Sequence, residues 1–201
     1  GASVSPYLIT FYSSGAIEEK WNTASLGPNR VVAGLGMGFG AVIACGALVT
    51  AAVVLAPRGV RVESFDHVAG VMAPAFGRAG VWLFCASLFI GCIGASLELS
   101  LDLGYTTAQT FGWDWSENRK TWTEGRFALV MSGGLAVALL PSLLGVNPFQ
   151  LTMFSMAITA LALPLVTAPL LIVMNDRRYL NRHTNGVVSN AAVIGVIALA
   201  F

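Results

Sequence analysis

Long apolar stretches without a charged residue dominate the chain, and short segments between them carry nearly all of its charges. Five stretches contain no Asp, Glu, Lys or Arg. They are Gly1–Ile17, Val31–Pro57, Ala79–Leu97, Phe127–Asn175 and His183–Phe201. A transmembrane helix needs about 20 mostly apolar residues, so the longest stretch, Phe127–Asn175, predicts two helices rather than one.

Two prolines mark where this longest stretch divides, because the chain reads Pro-Ser-Leu-Leu-Gly-Val-Asn-Pro from Pro141 to Pro148. With that division, the sequence predicts six transmembrane spans, at about 1–17, 31–56, 79–104, 127–145, 149–174 and 186–201. The composition agrees, because 56% of the residues are apolar and only 10% are charged, against about 25% charged in a soluble domain. We therefore predict an all-α polytopic membrane protein embedded in a lipid bilayer.

Basic residues are unevenly divided between the two sides that six spans define. Segments 18–30, 105–126 and 175–185 carry eight Lys and Arg residues, whereas segments 57–78 and 146–148 carry three. Since basic loops stay in the cytoplasm, the first side is predicted to be cytoplasmic and the first span to run inward. The net charge is only +1, without the basic stripe that nucleic-acid binding needs. We expect a multi-pass protein of the cell membrane with no nucleic-acid partner.

The first span opens with Gly-Ala-Ser-Val-Ser-Pro-Tyr, which places a proline and two serines in an apolar run. Pro6 lacks an amide hydrogen and clashes with the carbonyl four residues earlier, so it frees the Ala2 carbonyl. Unwound segments at membrane depth are tolerated where they line a cavity, and in transporters freed carbonyls bind ions. Ala2 and Ser5 are therefore candidate metal-binding residues. An ordinary proline kink is the alternative interpretation.

Polar residues continue along this span toward its predicted cytoplasmic end. Thr10, Ser13 and Ser14 lie about one helical turn apart and can share a face, which would line a wet passage. We take Thr10 and Ser13 as candidate residues of an ion pathway. The next two carboxylates, Glu18 and Glu19, are interpreted as solvated residues at the membrane interface.

Two carboxylates lie near the predicted inner end of the third span. Glu98 and Asp102 are one helical turn apart and share a face, where like charges need a cation, a basic partner or water. An ionisable residue within a span indicates function by default, so both are candidate ion-pathway residues. The alternative is that both have reached the cytoplasmic surface, because the uncharged stretch Ala79–Leu97 already nearly crosses the bilayer.

The fifth span contains Pro164 and Pro169, which predict a kink or a break. We expect the hydroxyls of Thr159 and Thr167 to bond the carbonyls that these prolines free. The chain contains no HExxH, GxSxG or P-loop motif, which argues against an enzyme.

Two stretches resemble the second half of divalent metal transporters of the Nramp (natural resistance-associated macrophage protein) family. Residues 163–178 are similar to that family's tenth helix, which runs Leu-Pro, four residues, Pro-Leu-Leu, then a Ser/Asn-Asp-Arg exit. Residues 2–7, Ala-Ser-Val-Ser-Pro-Tyr, resemble its sixth-helix motif Ala-x-x-Met-Pro-His.

This resemblance implies a LeuT-type fold, in which two inverted five-helix repeats pack together. Residues 1–174 would be the second repeat, and residues 175–201 a cytoplasmic loop and part of a further helix. The first repeat, with its Asp-Pro-Gly-x-Asn metal motif, would be a partner segment elsewhere in a longer protein. The resemblance also implies a divalent cation as substrate and no cofactor.

The chain departs from the family pattern at the residues that the family uses near the metal. Ser5 replaces the metal-binding methionine, Tyr7 and Tyr12 replace two histidines, and Ala162 replaces a tenth-helix glutamine. A thioether favours softer ions, whereas oxygen ligands suit Mg²⁺ and Mn²⁺, and the substitutions resemble the Nramp-related magnesium transporter branch. Tyr7 and Tyr12 join the candidate ion pathway. Tyrosine does not exchange protons near neutral pH as histidine does, so the resemblance gives no basis for proton coupling.

Transport of Mg²⁺ or Mn²⁺ across a membrane is therefore the leading hypothesis. One alternative is a LeuT-type carrier of another substrate, such as an amino acid, whose broken helix would face a carboxylate. Others are a non-transporting membrane subunit packed by its glycines, and an intramembrane enzyme that uses Glu98 and Asp102. An Asp-Pro-Gly-x-Asn motif in a first helix would favour metal transport over all of these.

Overall fold

The computed structural model describes residues 5–59, 63–116 and 125–199, and every regular element in these ranges is helical. The helices are α1 (Pro6–Glu18), α2 (Leu26–Val54), α3 (Phe65–Phe111), α4 (Gly125–Leu143), α5 (Pro148–Asn175), α6 (Arg177–Leu180) and α7 (Val187–Leu199). Short 3₁₀ turns occupy Thr23–Ser25, Ala56–Arg58 and Asn181–His183. The predicted all-α fold is confirmed.

In the part of the chain that the structure describes, four helical segments are long and apolar enough to cross a membrane. They are Thr23–Val54, Gly77–Phe111, Gly125–Leu143 and Pro148–Asn175, and they correspond to the second to fifth predicted spans. The first and sixth correspond to α1 and α7, which are each 13 residues long. A 13-residue helix is about 20 Å long, short of the roughly 30 Å hydrocarbon core. Residues 1–4 and 200–201 of these two predicted spans lie outside the described residues.

Exposed apolar side chains cover the membrane-length helices. Helix α2 has no buried residue, and Leu35, Phe39 and Leu48 along it are 70%, 70% and 72% exposed. A soluble protein rarely leaves a large contiguous apolar surface uncovered, whereas the hydrocarbon core of a bilayer covers it at no cost. The chain is therefore an all-α polytopic membrane protein.

Helix α3 starts earlier than the predicted third span, at Phe65 rather than residue 79, within a segment predicted to be a loop. Gly77 interrupts it with φ 57° and ψ −145°, a backbone conformation that glycine adopts without the penalty of a Cβ atom. The preceding segment carries Asp66 in its first turn, where the helix dipole favours a negative charge. The prediction relied on stretches without charged residues, and a helix that contains charged residues cannot be found in that way.

At its other end α3 passes the predicted boundary at residue 104 and continues to Phe111. Gly112 has φ 64°, and its amide donates to the Gln109 carbonyl at 3.3 Å while that of Trp113 donates to the Ala108 carbonyl at 2.8 Å. These are the two bonds of a Schellman motif, which ends helices at a left-handed glycine. The prediction stopped too early because it followed apolar residues and not this glycine.

The predicted division between the fourth and fifth spans is confirmed. Helix α4 ends at Leu143, just before Gly145, which has φ 79°. Helix α5 begins at Pro148, and the Asn147 side chain accepts a hydrogen bond from the Phe149 amide at 2.9 Å. Proline at the first helical position and asparagine before it are both favoured at helix starts.

Contacts divide the chain into two compact units, Phe11–Gln150 on the one hand and Gly1–Thr10 with Leu151–Phe201 on the other. In the unit Phe11–Gln150, helices α3 and α4 make the most extensive contact between described elements. Its core consists of Tyr105, Ala108 and Phe127, against which four partly buried side chains pack. These are Phe11, Leu101, Trp113 and Trp115.

Glycines allow α3 and α4 to approach closely. A Cβ atom added at Gly104 on α3 would lie 2.8 Å from the Phe127 ring on α4, and one at Gly134 on α4 would lie 2.5 Å from Leu103 on α3. On each helix, therefore, a glycine lies against a side chain of the other helix. Small residues allow helices in membranes to pack closely in this way.

In the unit of Gly1–Thr10 and Leu151–Phe201, α5 is one continuous helix through Pro164 and Pro169, so of the two predicted outcomes, a kink or a break, the break does not occur. The Thr167 hydroxyl donates to the Leu163 carbonyl at 2.7 Å and the Thr159 hydroxyl to the Ser155 carbonyl at 2.9 Å. Neither is a carbonyl that a proline frees, because threonine in a helix reaches the carbonyl four residues before it. The expected rescue of freed carbonyls by these threonines is therefore also wrong.

Three asparagines fasten the start of α7 to the end of α5 in the same unit. Asn175 and Asn190 donate to each other's side-chain oxygens at 3.0 and 2.7 Å, and Asn185 donates to Asn190 at 3.1 Å. The backbone amide of Asn185 also donates a hydrogen bond to the Met174 carbonyl at 3.0 Å. This network fixes the turn between the two helices.

We expect Gly104→Ala to destabilise the protein by about 1–3 kcal/mol, because the added methyl group overpacks against a rigid, buried ring. The measurement is thermal unfolding in detergent micelles. Gly94→Ala is the matched control, since a Cβ atom there meets nothing within 4 Å and alanine favours the helix. Equal melting temperatures for the two variants would contradict the packing argument.

Candidate functional site

The first candidate metal residue lies directly before a helix. Ser5 is half-buried and non-helical, and its carbonyl accepts a hydrogen bond from the Leu8 amide at 3.1 Å. Pro6 then begins α1, where its missing amide hydrogen costs nothing because it is at the first helical position. Ala2 and the predicted break before Ser5 lie outside the described residues.

The other candidate residues of α1 differ in exposure. Tyr7 and Thr10 are half-buried, and the Thr10 hydroxyl donates to the Tyr7 carbonyl at 2.9 Å. Tyr12 is 47% exposed, and Ser13 is also exposed. Thr10 and Ser13 therefore do not share one environment, although their spacing suggested a common face.

The buried polar residue of α1 is instead Ser14, which is 2% exposed. The Gln109 side-chain amide on α3 donates a hydrogen bond to its hydroxyl at 2.8 Å. Sequence reasoning noted Ser14 only as a neighbour of Thr10 and passed over Gln109. A signal was present in the spacing of Phe11, Ser14 and Glu18, which lie three and then four residues apart and so share a helix face.

The Ser116 hydroxyl donates a hydrogen bond to Glu18, which is half-buried. The expectation that Glu18 is simply solvated at the interface is therefore wrong. Its neighbour Glu19 is exposed and accepts a hydrogen bond from the Trp21 ring nitrogen at 2.6 Å. The two glutamates differ because only Glu18 is on the helix face that Ser14 shares.

Glu98 and Asp102 are both half-buried and lie one turn apart on α3, so the predicted common face is confirmed. Leu97 and Leu99 beside them are 52% and 49% exposed. Helix α3 continues to Phe111, which adds about 13 Å of helix beyond Asp102. The carboxylates therefore lie within the helix rather than at its end.

The candidate residues in the described ranges offer oxygen atoms of hydroxyl, phenol and carboxylate groups. Oxygen donors suit hard cations such as Mg²⁺ and Mn²⁺. Among residues 5–59, 63–116 and 125–199, no three or more His, Cys, Asp or Glu side chains gather as they would to hold a metal ion.

A comparison with protein families identifies the chain. The family model described as natural resistance-associated macrophage protein-like matches residues 1–201. Neither the curated proteins nor the solved structures that were searched gave a match. Since the family match covers the whole chain, the protein belongs to the Nramp-like family, whose members transport divalent metal ions across membranes.

Proposed function

We propose that the protein carries Mg²⁺ or Mn²⁺ across the cell membrane, and that residues 1–174 act as the second of two inverted repeats in a LeuT-type transporter. Residues 175–201 would then form a cytoplasmic loop and part of a further helix. The first repeat of the same polypeptide would complete the ion pathway, and the cation is the substrate rather than a cofactor.

The observation that carries this proposal is the start of α1. In a chain of this family, the helix begins at Pro6, and a half-buried serine, Ser5, precedes it. A hydroxyl and a backbone carbonyl are hard donors, and they leave room for water that Mg²⁺ gives up reluctantly. Tyr7 and Tyr12 supply no imidazole, so the proposed carrier moves its cation without proton exchange at those two positions.

The direct test is uptake of Mg²⁺ and of Mn²⁺ by liposomes that contain the full-length protein. We expect uptake of at least one of the two ions to exceed that of protein-free liposomes and to saturate with ion concentration. Uptake of amino acids in the same vesicles, with neither cation transported, would overturn the proposal and favour another LeuT-type carrier.

We expect Ser5→Met to shift selectivity toward softer ions such as Cd²⁺, because a thioether prefers them and displaces water that Mg²⁺ retains. The shift should be on the order of 1–2 kcal/mol, or about 5–30-fold. Competition between Mg²⁺ and Cd²⁺ during uptake measures it. Ser5→Leu is the matched control, since it adds bulk without sulfur and should lower Mg²⁺ uptake without favouring Cd²⁺. An unchanged ratio in Ser5→Met would place Ser5 outside the site.

We expect the double substitution of Glu98→Gln with Asp102→Asn to lower cation uptake about tenfold, which corresponds to about 1.4 kcal/mol in the transport barrier. The reason is that two carboxylates on one helix face attract a divalent cation, whereas two amides do not. Asp114→Asn, at an exposed position after α3, is the control and should leave uptake unchanged. Full uptake by the double variant would reduce Glu98 and Asp102 to structural residues.

A further inference from the structure

The connection between α5 and α7 contains a chemically reactive pair of residues. Asn185 is the one asparagine of the chain that glycine follows. Neither Asn185 nor Gly186 belongs to a helix, since they lie between the turn Asn181–His183 and the start of α7 at Val187. No Cβ atom shields the amide of a glycine, so its nitrogen can reach the carbonyl carbon of the preceding asparagine side chain.

The two groups that would react are not held by other partners. In the part of the chain that the structure describes, the Gly186 amide donates no hydrogen bond and the Asn185 side-chain oxygen accepts none. Gly186 is exposed and Asn185 is half-buried. Asp176, Arg177 and Arg178 lie in the same connection, and charged residues keep such a segment out of the hydrocarbon core. Water can therefore reach the pair.

The turn itself does not require glycine at position 186. Gly145 has a φ of 79°, but Gly186 is not among the described glycines with a positive φ. A Cβ atom added at Gly186 would meet nothing within 4 Å. Alanine would therefore fit this backbone, and what glycine adds at the position is an unshielded amide.

We propose that Asn185 is a site of spontaneous deamidation, and that the reaction removes a link between α5 and α7. The Gly186 nitrogen bonds to the side-chain carbonyl carbon of Asn185, and the bond from that carbon to the amide nitrogen breaks. The amide nitrogen leaves as ammonia and takes with it the proton of the Gly186 amide. A water molecule then opens the five-membered succinimide at either of its carbonyls, which yields aspartate or isoaspartate.

The link that this reaction removes is a hydrogen bond of the asparagine network. The Asn185 amide nitrogen, which is lost as ammonia, donates to the Asn190 side-chain oxygen at 3.1 Å and to the Met174 sulfur at 3.8 Å. In aspartate an oxygen takes the place of this nitrogen, so two acceptors face each other across the contact. The Asn190 oxygen keeps its hydrogen bond from Asn175 at 3.0 Å, and the network is weakened but not abolished.

Mass spectrometry of the full-length protein tests the reaction. The protein is incubated in mildly alkaline buffer and digested at acidic pH, and tandem spectra locate each change. We expect Asn185 to gain the mass difference between an amide and an acid, as two isomers, aspartate and isoaspartate. Asn175, Asn181 and Asn190 are internal controls, since Asp, Arg and Ala follow them. No conversion at Asn185, equal conversion at the controls, or aspartate as the sole product would overturn the proposal.

Variants of the two neighbours separate the chemistry from the fold. Gly186→Ala should slow the conversion about tenfold, because its methyl group shields the amide and restricts the backbone. Asn190→Ala removes the acceptor that holds the leaving amide, and we expect about threefold faster conversion. Ser189→Ala changes an exposed neighbouring residue and is the control, with an unchanged rate. The same rate in Gly186→Ala as in the original protein would rule out attack by the Gly186 nitrogen.

The structural consequence is measured with Asn185→Asp, which carries one of the two products. We expect its melting temperature in detergent micelles to be lower by about 2–4 °C, because a hydrogen bond between α5 and α7 is lost. Asn181→Asp is the matched control, since it adds the same charge at an exposed position in the same connection. An equal shift in both variants, or none in Asn185→Asp, would contradict the loss of a link.

Discussion

The packing of Phe127 against the bare backbone of Gly104 is the contact on which the unit Phe11–Gln150 depends. It brings α4 close enough to α3 for the Tyr105 and Phe127 rings to lie 5.4 Å apart, and both rings are almost fully buried. In a membrane, lipid is as apolar as the core, so helices associate through close packing and polar contacts rather than through water exclusion. Close packing of a ring against a glycine therefore stabilises this contact between helices in a membrane, as the hydrophobic effect stabilises such contacts in water. The Tyr105 ring in turn packs against the rings of Trp115 and Phe11.

The end of α3 builds on that contact. Because Gly112 turns the chain in a left-handed conformation, Trp113 folds back toward the cluster and stacks on Phe111 at 5.2 Å. The guanidinium of Arg126, at the start of α4, lies 5.4 Å from the centre of the Trp113 ring. A cation beside an aromatic ring suits the border between apolar and wet surroundings. One left-handed glycine thus organises the junction of two membrane-length helices.

The features that sequence predicted well are those set by neighbouring residues. The turn containing Gly145 follows from local rules about proline and glycine, and the apolar runs located the four long helices. The features that it missed depend on distant residues or on segments outside the apolar runs. The spacing of Phe11, Ser14 and Glu18 marks one helix face, but the partner that bonds Ser14 is Gln109, 95 residues later, which no local rule identifies. The helix before Gly77 was not predicted, because stretches without charged residues indicate membrane spans and not helices in general.

Close packing and polar contacts hold the helices of the unit Phe11–Gln150 together in two physically different ways. Interlocked side chains such as Phe127 allow one packing arrangement, since a shift of about one methylene group already costs stability. Hydrogen-bonded pairs such as Ser14 and Gln109 are directional but can part and re-form, because water or another polar group can replace either partner. In the unit Phe11–Gln150, close packing therefore fixes the distance between α3 and α4, and the hydrogen bond between Gln109 and Ser14 adds a directional contact that does not depend on side-chain volume.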